Sequence, residues 1–142
     1  MSLANFAREA RSIASKLPVV AARSREPHEE KHFDAYIALP AVWGGEKRLV
    51  IIVLARDGTV VAAVAPPVSS PICVSRGADN PVEAKAVDEV LMELGSRFVS
   101  WCRVYLPPGY RPKNLFDILS ALIAFGVVDD YGVPPGTFEN EA

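Results

Sequence analysis

Glutamine is absent from the 142 residues, and only four asparagines, two histidines and two cysteines occur. Arginine outnumbers lysine ten to five, and many of the twelve prolines fall between apolar segments. Loss of thermolabile amides with proline-rich connections is the composition of heat-adapted proteins, so a thermophilic archaeal source is expected. Half of the residues are hydrophobic, yet no apolar run reaches the roughly 18 residues that a membrane-spanning helix needs. The opening Met1-Ser2-Leu3-Ala4-Asn5 lacks the basic-then-apolar layout of a secretory signal, and a cytoplasmic location is expected. The nine glycines are scattered, with no G-x-G-x-x-G or P-loop run and no G-x-S-x-G elbow, which argues against phosphate-loop and serine-nucleophile chemistry. Cys73 and Cys102 have no Cys or His at ligand spacing. They read as core thiols, and their pairing in a heat-adapted protein stays open.

Both histidines fall in His28-Glu29-Glu30-Lys31-His32, the H-E-x-x-H pattern of zinc hydrolases. That chemistry needs one helix carrying both imidazoles. Here Pro27 precedes the motif, a strand-like alternation follows from Phe33, and the middle positions Glu30 and Lys31 are both charged. A solvated linker over 26–31 is the better reading, with no metal, no cofactor and no catalytic residue expected. A zinc-dependent hydrolase through these five residues is the second alternative.

The net charge of −2 hides an asymmetry, since Asp129, Asp130, Glu139 and Glu141 give residues 129–142 four acids and no base, leaving +2 on residues 1–128. A single domain over 1–128 with an acidic, Pro/Gly-containing tail over 129–142 is predicted.

Leu3, Phe6, Ala10, Ile13 and Leu17 recur at helical spacing, with Ser2 as N-cap and Pro18 as stop, which predicts a helix of about four turns. Phe33, Ala35, Ile37 and Leu39 alternate with His32, Asp34, Tyr36 and Ala38, a half-buried strand in which Pro40 suits an edge or a bulge. Gly44-Gly45 turns the chain. Lys47–Ala55 and Thr59–Ala65 flank Asp57-Gly58, a pair suited to a two-residue type I′ turn that sets Arg56 opposite Thr59, Leu54 opposite Val61 and Ile52 opposite Ala63. Both faces of this hairpin are apolar, so both must be covered, by helices, a partner subunit or a ligand. Pro71–Ser75 can add a fourth strand. Asn80-Pro81-Val82-Glu83 starts a helix whose stripe through Val87, Leu91, Leu94, Phe98 and Trp101 predicts helix to about Leu106, with a strand over Phe98–Leu106 as the other possibility. A third helix from Asn114 to Gly126 is apolar nearly all round. The fold class is α+β: an N-terminal helix, a four-stranded antiparallel β-meander, then two C-terminal helices. Because three helices leave apolar surface to spare, a homodimer is expected.

Candidate binding residues are the aromatic and basic positions around the sheet: Tyr36 on the polar face of the first strand, Trp43 at the Gly44-Gly45 turn, Lys47 and Arg48 behind it, and Arg56 and Arg76 at other strand ends. Exposed rings stack on unpaired bases, worth roughly 1–3 kcal/mol each, and flanking cations neutralise phosphates.

One helix, a meander over Phe33–Leu39, Lys47–Ala55, Thr59–Ala65 and Pro71–Ser75, and then helices make a layout that resembles Thermo-DBP and its shorter relatives, the single-stranded-DNA-binding family of hyperthermophilic archaea. The likeness covers most of residues 3–126 and rests on element order, size and composition. It implies single-stranded DNA in an apolar cleft bordered by basic residues, in a dimer or higher oligomer, with Tyr36, Trp43, Lys47, Arg48, Arg56 and Arg76 able to supply the contacts. The long charged terminal helix of the longer members is missing. The function expected is therefore non-catalytic binding of single-stranded nucleic acid, with a protein-interaction or oligomerisation module as the alternative.

Overall fold

Asn80 shows how local chemistry sets the elements: its side-chain oxygen accepts from the Val82 and Glu83 amides, and Pro81 supplies a first helical residue that has no N–H to satisfy. The structure, a computed structural model, describes residues 1–65, 80–95, 101–104, 109 and 112–131. Their elements are α1 (Leu3–Ala14), β1 (Ala21–Ser24), β2 (Phe33–Trp43), β3 (Glu46–Ala55), β4 (Val60–Ala65), α2 (Pro81–Glu93), β5 (Cys102–Arg103), α3 (Leu115–Ala124) and β6 (Asp130–Tyr131). The class is α+β, with an antiparallel sheet in the order β1-β2-β3-β4-β5, and β6 beside β2.

Ser2 caps α1 by accepting from the Asn5 amide, and α1 ends at Ala14, earlier than the four turns that the spacing predicts. Asn114 caps α3 by accepting from the Asp117 amide, and Gly126 follows that helix at φ 76°. Among the described residues no helix is long and apolar enough to cross a membrane.

Helices cover both faces of the sheet. Ala86, Val87, Val90 and Leu91 of α2 pack with Phe33, Tyr36, Ala38, Ile51, Val53, Val61 and Trp101 on one side. Phe6, Ala10 and Ile13 of α1, with Leu115, Ile118 and Leu119 of α3, pack on Ala35, Ile37, Leu39, Ile52 and Leu54 on the other. The cover that the apolar hairpin demands thus comes from this chain's own helices, and only Ile123 and Phe125 of the α3 region remain as exposed large apolar side chains.

Several expectations are corrected. The β3–β4 loop is three residues, not two: the Gly58 amide donates to the Ala55 carbonyl and the Ala55 amide to the Thr59 carbonyl. A type I′ turn needs Asp57 at positive φ, but only Gly58 (φ 89°) is there. The register slips by one, so Val53 faces Val61 and Ile52 faces Ala62. Because both sides of β4 are apolar, the slip exposes nothing.

A bulge between Phe33 and Ala35 turns Phe33 to the face of Tyr36, where the rings meet edge-on at 5.3 Å. The strand is therefore buried on both faces, not half-buried. β2 also lies inside the sheet, and Pro40 is tolerated because of a gap. The Ala38 and Val42 carbonyls accept from Val20 and Asp129, so alternation points the missing Pro40 N–H outward, between β1 and β6.

The helix begun at Asn80 does not continue to Leu106. It stops at Glu93, Gly95 takes φ 63°, and Cys102–Arg103 pairs with Val64 and Ala63 as a strand. The fourth main strand is Ala21–Ser24, while the Pro71–Ser75 strand lies outside the described residues, as does Cys73. The sheet also takes in the start of the acidic tail: the Asp129 amide donates to the Val42 carbonyl and its carboxylate accepts from the Gly44 amide, ahead of β6.

Candidate functional site

The H-E-x-x-H segment forms no helix. Residues 28–32 run through turn and loop between β1 and β2, and the Glu29 and His32 side chains tie that loop down. Glu29 takes a two-pronged ion pair from Arg23, at 2.7 and 2.9 Å, while Arg23 Nε donates to Glu93 of α2 at 3.0 Å. The Arg23 guanidinium also lies 5.2 Å from the Phe33 ring centre. Held by Arg23, the Glu29 carboxyl is pulled down to about 2. His32 donates its amide to one Glu89 oxygen at 2.6 Å, and its Nδ1 sits 2.8 Å from the other. Arg25 pairs with Asp34 at 3.3 Å. The segment read as a solvated linker is therefore a surface loop pinned to α2 and β2. Among the described residues no cluster of three or more His, Cys, Asp or Glu could hold a metal.

The candidate binding residues are spread apart. Tyr36 is 4% exposed, its ring enclosed under α2, where burial raises its hydroxyl pKa; the polar face assigned to it does not exist. Trp43 ends β2 opposite Glu46, and Lys47, opposite Val42, is exposed. Arg48 is a correction as well, because its side chain is 2% exposed and pairs with Glu46 at 2.8 Å. Arg56 lies at the other end of β3, exposed, donating to the Lys31 carbonyl at 3.3 Å. Nine residues of strand at ~3.3 Å separate Lys47 from Arg56, roughly 30 Å, so they do not share a site. Arg76 lies outside the described residues.

What the structure does bring together is a cleft of about 320 Å³ between α1 and the sheet edge, lined by Phe6, Ala7, Ala10, Arg11 and Ala14 from α1, Ala22, Arg23 and Ser24 from β1, and Ala35 and Tyr36 from β2. Five of these ten are alanines, too short to fill the space between a helix and a sheet. Among the described residues β1 is the end strand of the sheet, so the cleft opens sideways beside a strand with one unpaired edge. Arg11 is the one ionisable side chain of α1 in this lining, and among the described residues it has no ion-pair partner. Among the described residues no carboxylate lines the cleft.

The sequence reading missed this site because Ala21-Ala22-Arg23-Ser24 carries no strand-like alternation of apolar residues. The available signal was the run Ala7, Ala10, Ala14, small residues on the flank of an otherwise large-residue apolar stripe.

A scan against protein-family models finds no match to this chain, and searches of curated proteins and of solved structures find none either.

Proposed function

We propose that the protein is a non-catalytic protein-interaction module whose binding surface is the cleft between α1 and β1. One observation carries the reading: an alanine-walled groove runs alongside an open strand edge, so a visiting chain meets apolar surface and unpaired main chain together. The same geometry gives less support to single-stranded nucleic acid. Base stacking needs exposed ring faces, and Tyr36 is enclosed. Phosphate neutralisation needs neighbouring cations, whereas Arg48 is buried and Lys47 and Arg56 lie at opposite ends of one strand.

Amide shifts of the ¹⁵N-labelled full chain, titrated separately with short extended peptides and with oligo(dT), test this. Peptides are expected to move resonances of Ala7, Ala10, Ala22 and Ser24. Oligo(dT) moving those resonances with no peptide doing so would reverse the assignment, and its log affinity should then fall with log salt by about 0.7 per phosphate contact.

A further inference from the structure

We infer that the partner of this surface is an extended acidic peptide segment that joins the sheet as a further strand on the free edge of β1. The inference rests on the protein-interaction reading above and adds the partner's conformation and charge.

Conformation follows from the ladder. The Arg25 amide donates to the Asp34 carbonyl at 2.7 Å, and β1 runs in register with Ala21 opposite Ala38 and Ser24 opposite Ala35. In an antiparallel pair, hydrogen-bonded positions alternate, so residues 21, 23 and 25 face β2, and Ala22 and Ser24 turn their main chain outward. The Ser24 carbonyl takes an Arg23 N–H at 3.2 Å. Among the described residues the Ala22 amide, the Ala22 carbonyl and the Ser24 amide remain, two residues apart and spaced as the next strand requires. Register also sets Ala22 and Ser24 on the face of Ile37 and Ala35, toward α1. A strand laid on this edge therefore sends every second side chain toward the cleft.

Charge follows from what lines the cleft. Its ionisable groups with a net charge to offer come down to Arg11, because Arg23 is already met by Glu29 and Glu93. Arg8, one residue beyond Ala7, is exposed and bonded only to the neutral Asn5 side chain. A segment alternating carboxylates with small or medium apolar side chains matches this rim and this floor.

The probes are fluorescein-labelled hexapeptides alternating Glu with Val, Ala or Phe, the same set with Lys for Glu, and the acidic set N-methylated at alternate residues in either frame. They are titrated into the full chain, reading anisotropy, ¹⁵N shifts and amide hydrogen exchange. The acidic set is expected to bind, to slow exchange at Ala22 and Ser24, and to lose binding on N-methylation in one frame only. Arg11→Glu should weaken the acidic set about tenfold and favour the lysine set. Equal effects of both frames, unchanged exchange at Ala22 and Ser24, or lysine peptides binding as well as acidic ones would overturn the inference while leaving cleft binding standing. No cleft shift with any peptide at millimolar concentration overturns both the inference and the interaction reading.

Discussion

Under α2 the sheet presents the large rings of Phe33, Tyr36 and Trp101, whereas under α1 its edge presents Ala22 and Ala35. The rim of the first region is closed by charges: Arg23 reaches Glu29 and Glu93, and His32 reaches Glu89. The rim of the second carries Arg11 and, among the described residues, no counter-charge. One strand, β1, borders both, with Arg23 turned to the closed side and Ala22 and Ser24 to the open one. The α2 side is thus closed by large rings and paired charges, and the α1 edge is not. The open side is lined by alanines that leave its space unfilled.

Four predictions bear on that contrast. The largest effect belongs to Trp101→Ala: the ring is 1% exposed and its Nε1 donates to Asp88 at 2.9 Å, so urea unfolding should show a loss of about 3–5 kcal/mol. A loss under 1 kcal/mol would mean that the α2 side is not the sealed one.

Arg23→Met removes the ion pairs and takes the guanidinium from over Phe33. These pairs are partly exposed, so the expected loss is only about 1–2 kcal/mol, with α1-side amide shifts unchanged. Shifts spreading into Phe6 and Ala10 would show that the two sides are coupled.

Acid should loosen the closed rim first. The Glu29 carboxyl has its pKa lowered from 4.5 to about 2 by Arg23, so its contribution is complete above 4.5, fades as pH falls toward 2, and is absent below. Protection of the amides in residues 25–32, taken relative to the intrinsic exchange rate at each pH, should fall over that window, and Glu29→Gln should remove the pH dependence of that fall. Identical protection factors at pH 5 and pH 2 in the unaltered chain would rule the clamp out.

Smallest in stability is Ala14→Leu, which fills the mouth of the cleft and should change unfolding free energy by no more than about 0.5 kcal/mol. Peptide binding should nevertheless be lost. A variant that binds normally would place the ligand elsewhere.

The parts legible in the sequence were those with strong local chemistry. Ser2, Asn80 and Asn114 announce their helices because each cap satisfies specific amides. The two-sided apolar hairpin required cover on both faces, and the helices supply it. What was hidden depended on single-residue geometry or on long-range pairing. The hairpin register turned on whether Asp57 could take positive φ, which the Asp57-Gly58 dipeptide leaves open. Tyr36 could not be assigned a face without knowing that a bulge precedes it. The stripe beyond Leu94 keeps helical phase, yet Gly95 ends the helix and Arg103 is drawn to β4 and to an ion pair with Glu83. The cleft was least legible, because it is defined by alanines that leave space, and pattern reading follows the residues that fill it.

Pro40 sets a limit on strand exchange between molecules. Should β1 lift away, an intruding strand could pair along β2 from Asp34 to Ala38, but the ladder has no donor to offer at Pro40, and beyond it β6 holds Ala41 and Val42. The uncovered stretch is thus about five residues, the longest run that an exchanged strand could pair with on this side of β2. The same fold that leaves the outer edge of β1 open among the described residues limits, through Pro40 and β6, the length of β2 along which a stack of copies could grow.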